Sequence, residues 1–141
     1  MTFPILGVIF HDPDFLFHDG EHGNKLFVVL GLSPSKDYIV ARTTSQPDRK
    51  SWIYGCHNDE PDANFFVPIT LGIFPKDTWI CLDYLADFDT QEFDKKVISS
   101  KIVRKGILPL SVIKDLLSCA ANADDTSGKQ SKVLLDTLAV I

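Results

Sequence analysis

The run over residues 25–32, Lys25 followed by Leu26-Phe27-Val28-Val29-Leu30-Gly31-Leu32, constrains this 141-residue chain more than any other segment. After Lys25 it is apolar at every position, shows no alternation, and is only as long as a strand. Such a run is the signature of a strand buried on both faces. Ser33-Pro34-Ser35-Lys36-Asp37 follows as a turn signal, and Tyr38 to Thr44 reads as the returning strand of a hairpin.

Further strands are expected on either side of this hairpin. Residues 3–10 carry Ile5, Val8, Ile9 and Phe10 and read as a first strand, followed by a long loop over 11–24. Ser51-Trp52-Ile53-Tyr54 can form a short strand. Phe65-Phe66-Val67-Pro68-Ile69 reads as another, with Pro68 placing it at an edge or near an end. Residues 78–85 make a further apolar strand that encloses Asp83. A helical turn anchored by Phe93 falls over 89–96. The period then changes to 3.6. Pro109 suits a first helical turn, and Leu110, Ile113, Leu116, Leu117 and Ala120 mark an amphipathic helix over 109–121. A second, weaker helix is indicated by Val133, Leu134, Leu138 and Ile141. The fold class expected is α+β: a curled antiparallel sheet or small barrel with one or two C-terminal helices packed on it. One domain over 1–121 and a C-terminal extension over 122–141 are expected.

Charge narrows the function classes. The net charge is −5, which argues against broad nucleic-acid binding and leaves room for a local basic cleft. Cys56, Cys81 and Cys119 are odd in number and widely spaced, so free thiols in a reducing cytosol are expected and a disulfide framework is not. The N-terminal ten residues lack a basic region and a cleavage site, so they do not read as a signal peptide. No apolar run approaches the roughly 20 residues that span a bilayer, so no membrane is expected as a partner.

Several residues carry candidate chemistry. Lys25 and Arg42 are cations at strand ends, and Thr43, Thr44 and Ser45 form a hydroxyl run able to hold a phosphate, or simply a polar strand end. His57 has a side chain suited to both acid and base work, or is an ordinary loop histidine. Asp83, within apolar surroundings, needs a partner; it can hold Lys25 or Arg42, or cap a loop. Trp52 and Tyr54 follow the basic pair Arg49-Lys50, an arrangement that could stack bases or belong to the core. His18-Asp19-Gly20-Glu21-His22 matches the letters of an inverted zinc-protease motif. That chemistry needs both histidines one turn apart on a rigid helix, and Gly20 and Gly23 oppose a helix. The segment reads as a solvated loop over a cleft, and no metal or other cofactor is expected. Cys56 and His57 are adjacent and point to opposite faces of an extended chain, so they do not form a nucleophile–base pair.

Three segments taken in order resemble the MazF/PemK/Kid family of toxin ribonucleases. Gly23-Asn24-Lys25-Leu26 opening Phe27-Val28-Val29-Leu30 is similar to the family's Gly-x-Arg-Pro and the strand after it. Val40-Ala41-Arg42-Thr43-Thr44-Ser45 stands where the family has its Thr-rich strand end. Thr78 to Asp89 has the cadence of the family strand that holds an Asp, and Ile107-Leu108-Pro109-Leu110 looks like the family's closing helix start. Lys25 replaces the family Arg, Leu26 its Pro, and Tyr84 its usual Gln; Cys81 stands where some members carry an Arg. Arginine to lysine is a real change where a planar fork holds a phosphate. The resemblance implies an SH3-like barrel over residues 1–121 and a cytoplasmic, homodimeric, metal-independent endoribonuclease held by a cognate antitoxin. In that reading Lys25 binds the scissile phosphate of a single-stranded RNA, Arg42 stabilises its charge, Thr43 and Thr44 position it, and His57 is the acid or base. Ser45, Arg49, Lys50 and Trp52 would bind substrate and Asp83 would orient. The other reading is a non-catalytic binding module on the same barrel.

Overall fold

A computed structural model describes residues 3–46, 48 and 50–141. The chain forms β1 (Val8–Leu16), β2 (His22–Leu32), β3 (Asp37–Thr44), β4 (Gly55–His57), β5 (Asn64–Val67), β6 (Thr78–Cys81), β7 (Ala86–Asp89), α1 (Thr90–Ile98), β8 (Val103–Ile107), α2 (Leu110–Ala121) and α3 (Gly128–Ala139). The α+β class expected from the sequence is what forms. The strands make one sheet in the order β4-β5-β6-β3-β2-β1-β8, with β7 also paired to β3. Every described pairing is antiparallel. The ends of the path, β4 and β8, do not pair with each other, so the sheet is open rather than closed.

The β2–β3 hairpin is the centre of this sheet, and it is covered on both sides. Val28, Leu30, Ile39 and Ala41 point into one apolar cluster, roofed by Val112, Leu116 and Leu117 of α2 and Val133 and Leu134 of α3. Phe27, Val29 and Val40 point the other way, into a second cluster with Val8, Phe10, Phe15 and Phe93 of α1. This double burial is why the Leu26–Leu32 run lacks alternation. Each such side chain contributes about 1.5–3 kcal/mol on leaving water. The α1 side is aromatic: the Phe93 ring meets Phe10 edge-on at 5.1 Å and Tyr38 at 5.0 Å. Asp89 caps α1 by accepting from the Glu92 amide at 3.0 Å.

A register irregularity between Val29 and Gly31 breaks the β2–β3 ladder. Gly31 lies there for steric reasons. A Cβ on it would come within 3.2 Å of both Leu134 and Val133, so the missing side chain lets α3 approach the sheet. α3 begins with a full capping box between Ser127 and Gln130.

The sequence reading needs several corrections. The expected loop over 11–24 is mostly strand: β1 runs to Leu16, and only a tight turn separates it from β2. Pro13 and Asp14 fall at a shift in register between Asp12 and Phe15, so Pro13 is accommodated without ending the strand. Residues 51–54 form no strand; β4 comes just after them. Residues 82–85 leave the strand, so Asp83 lies in a bend between β6 and β7 rather than inside a strand. β8 was not expected, because Arg104 and Lys105 conceal an edge strand. The thiols are also not all free. β4 lies against α2, bringing the Cα atoms of Cys56 and Cys119 to 5.5 Å, and the two are joined as a disulfide across a separation of 63 residues. Linear spacing carries no sign of that approach. A crosslink over such a loop restricts the unfolded chain by about 4 kcal/mol. Among the described residues, no helix is long and apolar enough to cross a membrane.

Leu134 is fully buried and its neighbour Leu135 is exposed. Leu134→Ala should therefore lower unfolding free energy by about 3 kcal/mol, and Leu135→Ala by less than about 0.5 kcal/mol. Denaturant titration checks this; equal effects would mean that α3 does not belong to the core.

Candidate functional site: a basic cleft beside an arginine–aspartate pair

The site is organised by β3 and the bend that follows β6. Arg42 and Thr44 are two residues apart on β3 and share a face. From that face the Arg42 guanidinium reaches the bend. Its Nη1 donates to the Asp83 carbonyl oxygen at 2.7 Å, and its Nη2 lies 3.1 Å from each carboxylate oxygen. Both side chains are largely buried, 18% and 14% exposed. A pair held this far from water needs its hydrogen bonds, because removing one partner strands the other charge. Of the two partners open to Asp83 in the sequence reading, Arg42 is the one it holds.

The bend is shaped by backbone and by ring packing. Tyr84 is left-handed, with φ of 57°, a conformation that costs a residue with a side chain about 1–2 kcal/mol. Its ring stacks on His18 at 3.9 Å and 10°. The tip of the β1–β2 hairpin thus grips the bend that carries Asp83. This tip is what remains of the long loop expected over 11–24, and Phe17 at its start lines the cleft.

Beside it is an open cleft of about 390 Å³, lined by Phe17, Lys25, Arg42, Thr43, Thr44, Lys50, Asp62, Cys81 and Asp83. A second depression of about 240 Å³ shares Lys25, Thr43 and Thr44 with it and continues to Asn24, Ser45 and Lys76. Together they form a groove with Lys25 at its middle. Lys25 lies 6.0 Å from the Phe17 ring centroid and, among the described residues, is ion-paired with no carboxylate. Among the described residues, Lys50 Nζ donates only to the Asp48 carbonyl. These two lysines keep their charge available, whereas Arg42 is engaged.

The hydroxyls divide in the same way. Thr43 donates to the Leu26 carbonyl at 2.9 Å, so its proton is used inside the sheet. Thr44 Oγ1 accepts from the Gln46 amide, which leaves its proton free for an anion. Ser45 is exposed in the second depression.

The remaining expected residues do not converge here. His57 does not line the cleft; its Nε2 donates to the Ile53 carbonyl at 2.7 Å, on the strap that carries β4. Trp52 is 59% exposed and stands edge-on to Trp79 at 4.9 Å, beside the cleft rather than in it. Arg49 lies outside the described residues. His22 faces Asp14 at 3.2 Å while His18 stacks on Tyr84, so the two histidines diverge. Among the described residues, no three His, Cys, Asp or Glu side chains group as a metal site requires. Lys76, Asp62 and Phe17 were missed. They sit in turns and loops whose local sequence gives no sign of the common groove.

Cys81 opens onto this cleft. Burial pushes its thiol above the ordinary value; Arg42, Lys50 and Lys25 pull it down and Asp83 adds to the rise. Burial also raises the phenols of Tyr38 and Tyr54, each with a smaller contribution from a nearby carboxylate, Asp94 and Asp115 respectively.

No family model, no curated protein and no solved structure matches this chain.

All three raised groups are protonated in the native state at neutral pH, and the unfolded chain releases those protons first as pH rises. Their contribution is complete below pH 9.0, the ordinary thiol value, and is lost as pH climbs through the raised values. Denaturant midpoints should hold between about pH 7 and pH 8.5 and fall by about pH 10.5. A midpoint that rises with alkali would contradict this.

Proposed function

We propose that this chain is a divergent MazF/PemK-like toxin that binds single-stranded RNA in the Lys25–Lys50 cleft and cuts it without a metal. The observation that carries this reading is the convergence of Lys25, Arg42 and Lys50 on one open groove in a chain whose net charge is −5. Like charges gathered on one groove repel each other, and a polyanion is a ligand that offsets that repulsion. The strand path β1-β2-β3-β6-β5, followed by α2, is the part we assign to an SH3-like barrel.

The roles follow from the geometry. Lys25 and Lys50 contact phosphate. Thr44 donates its free hydroxyl proton to a phosphate oxygen. Arg42, bound to Asp83, fixes the shape of the bend and adds positive potential behind the phosphate. RNA cleavage through the 2′-hydroxyl needs a base and an acid. His57 is too remote in this arrangement and Asp83 is held by Arg42, so we assign Asp62 as the base that takes the 2′-hydroxyl proton and a cleft ammonium, Lys25 or Lys50, as the acid that protonates the leaving oxygen. Homodimerisation, a cytoplasmic site of action, and inhibition by an acidic antitoxin segment occupying the same groove belong to this reading.

The engaged guanidinium and the absence of His57 from the cleft favour one alternative. It is a module on the same scaffold that binds RNA or an acidic partner and does not cut.

Lys25 is a better probe than Arg42, whose loss would also strand Asp83. Lys25→Ala should weaken single-stranded RNA binding by about tenfold. It should lower the slope of log affinity against log salt by about 0.7. His57→Ala should leave both unchanged. Expression of wild type and Lys25→Ala in a bacterial host, with growth and RNA integrity followed together, separates the readings. Arrest with RNA fragmentation, relieved by Lys25→Ala, supports the toxin. Binding with intact RNA supports the module, and no RNA binding by wild type removes the toxin and leaves the module only an acidic partner.

A further inference from the structure

Residues 50–62 form a strap whose two ends, Lys50 and Asp62, both line the cleft. Its middle is β4, a three-residue strand at the end of the sheet, paired among the described residues with β5 alone. Near the cleft the strap is well attached. The Trp79 indole donates to the Ser51 carbonyl at 2.8 Å, and the Trp52 ring packs edge-on against Trp79. Farther out, two side-chain bonds tie it to α2: Tyr54 to Asp115 and Asn58 to the Cys119 carbonyl, both at 3.4 Å. Bonds of that length are weak. The Cys56–Cys119 disulfide is therefore the dominant fastening of the strap to α2.

That fastening is open to solvent. Cys56 is exposed while Cys119 is buried. The pair borders a surface depression of about 310 Å³, with Gly55, Asn58, Asp115 and Asn122 around it. A small thiol can reach the Cys56 sulfur. Cys81, the third cysteine, is buried and kept protonated, so it does not compete in exchange.

We propose that the Cys56–Cys119 disulfide is a redox-operated fastener of the 50–62 strap, so that its oxidation state sets the affinity of the basic cleft for its polyanion. The regulatory half rests on the RNA reading of the cleft. The reductant is a thiol of the glutathione or thioredoxin class. Its thiolate attacks Cys56 Sγ, the S–S bond breaks, and Cys119 leaves as a thiolate that takes a proton. A second thiol attacks the mixed disulfide and releases Cys56. The balance is one protein disulfide and two thiols giving two protein thiols and one small-molecule disulfide, a two-electron reduction of the protein. Closed, the bond holds the strap and with it Lys50 at the groove. Open, it leaves the strap on the three β4–β5 pairs and on the inner contacts at Ser51 and Trp52, which then hold Lys50 at the groove without the crosslink.

The test uses the whole chain poised in glutathione buffers, with a labelled single-stranded RNA of mixed sequence as probe. Amide exchange is read on the same samples. Reduction should speed exchange across residues 50–62 by at least about tenfold and leave β2 and β3 protected. It should also weaken RNA binding by at least about fivefold. By reciprocity, saturating RNA should shift the glutathione ratio at half-reduction by the same factor. Cys56→Ser/Cys119→Ser should match the reduced wild type and ignore the buffer. If that variant fails to fold, the reduced wild type alone decides. Unchanged strap exchange on reduction overturns the fastener, as does global loss of β2–β3 protection. Equal RNA affinity in both states overturns its coupling to the cleft. A strap that loosens while RNA binds in neither state upholds the fastener and overturns the RNA reading alone.

Discussion

Burial of the β2–β3 hairpin on both faces is the constraint that the remaining structure serves. A strand with Phe27 and Val29 on one side and Val28 and Leu30 on the other has no face to offer water. The chain must supply a layer for each. It does so with α1 on the aromatic side and with α2 and α3 on the aliphatic side. The backbone follows the same demand: Gly31 lacks a side chain where α3 comes closest, and β1 is drawn alongside β2 so that Val8 and Ile9 serve opposite clusters. Packing at interior density rewards this only when both layers form together.

The cleft is a by-product of where that covering stops. β3 is apolar through Ala41 and turns polar at Arg42, where the helices no longer roof it. There β3 exchanges its partner, from β7 at its start to β6 at its end. The bend between β6 and β7 must bridge that exchange, and Asp83 sits in it. The Arg42–Asp83 pair closes the seam. It costs desolvation of two charges and recovers that cost through three hydrogen bonds from one guanidinium. Lys25 and Lys50 then stand beside a neutralised pair, with Asp62 as the carboxylate of the cleft lining outside it.

Much of this was legible in linear order because the signals are local. The hairpin, its turn, the helix from Leu110 and the class of the fold rest on periodicity and turn chemistry, which a chain carries without its partners. The α1 helix was visible only as a turn around Phe93, since the residues on either side of Phe93 are polar until Val97. What was misread is non-local. Pro13 argues for a loop unless a shift in ladder register absorbs it. Asp83 looks like an interior strand residue until the sheet is seen to bend after Cys81. His57 suited catalysis by residue type alone, and its placement on the strap withdraws it from the groove.

The sequence by itself determined that a doubly buried hairpin would organise an α+β domain, and that Arg42 and Thr44 would lie toward the end of their strand; Lys25, expected at a strand start, lies inside β2 because that strand begins at His22. Hydrophobic period and strand direction act within a few residues, so they survive in one dimension. Only the tertiary structure decided that Arg42 spends its fork on Asp83, that Lys50 and Asp62 close the groove from a strap, and that Cys56 meets Cys119. Those outcomes depend on which segments lie side by side after the sheet curls and the helices settle, and distance along the chain does not record them.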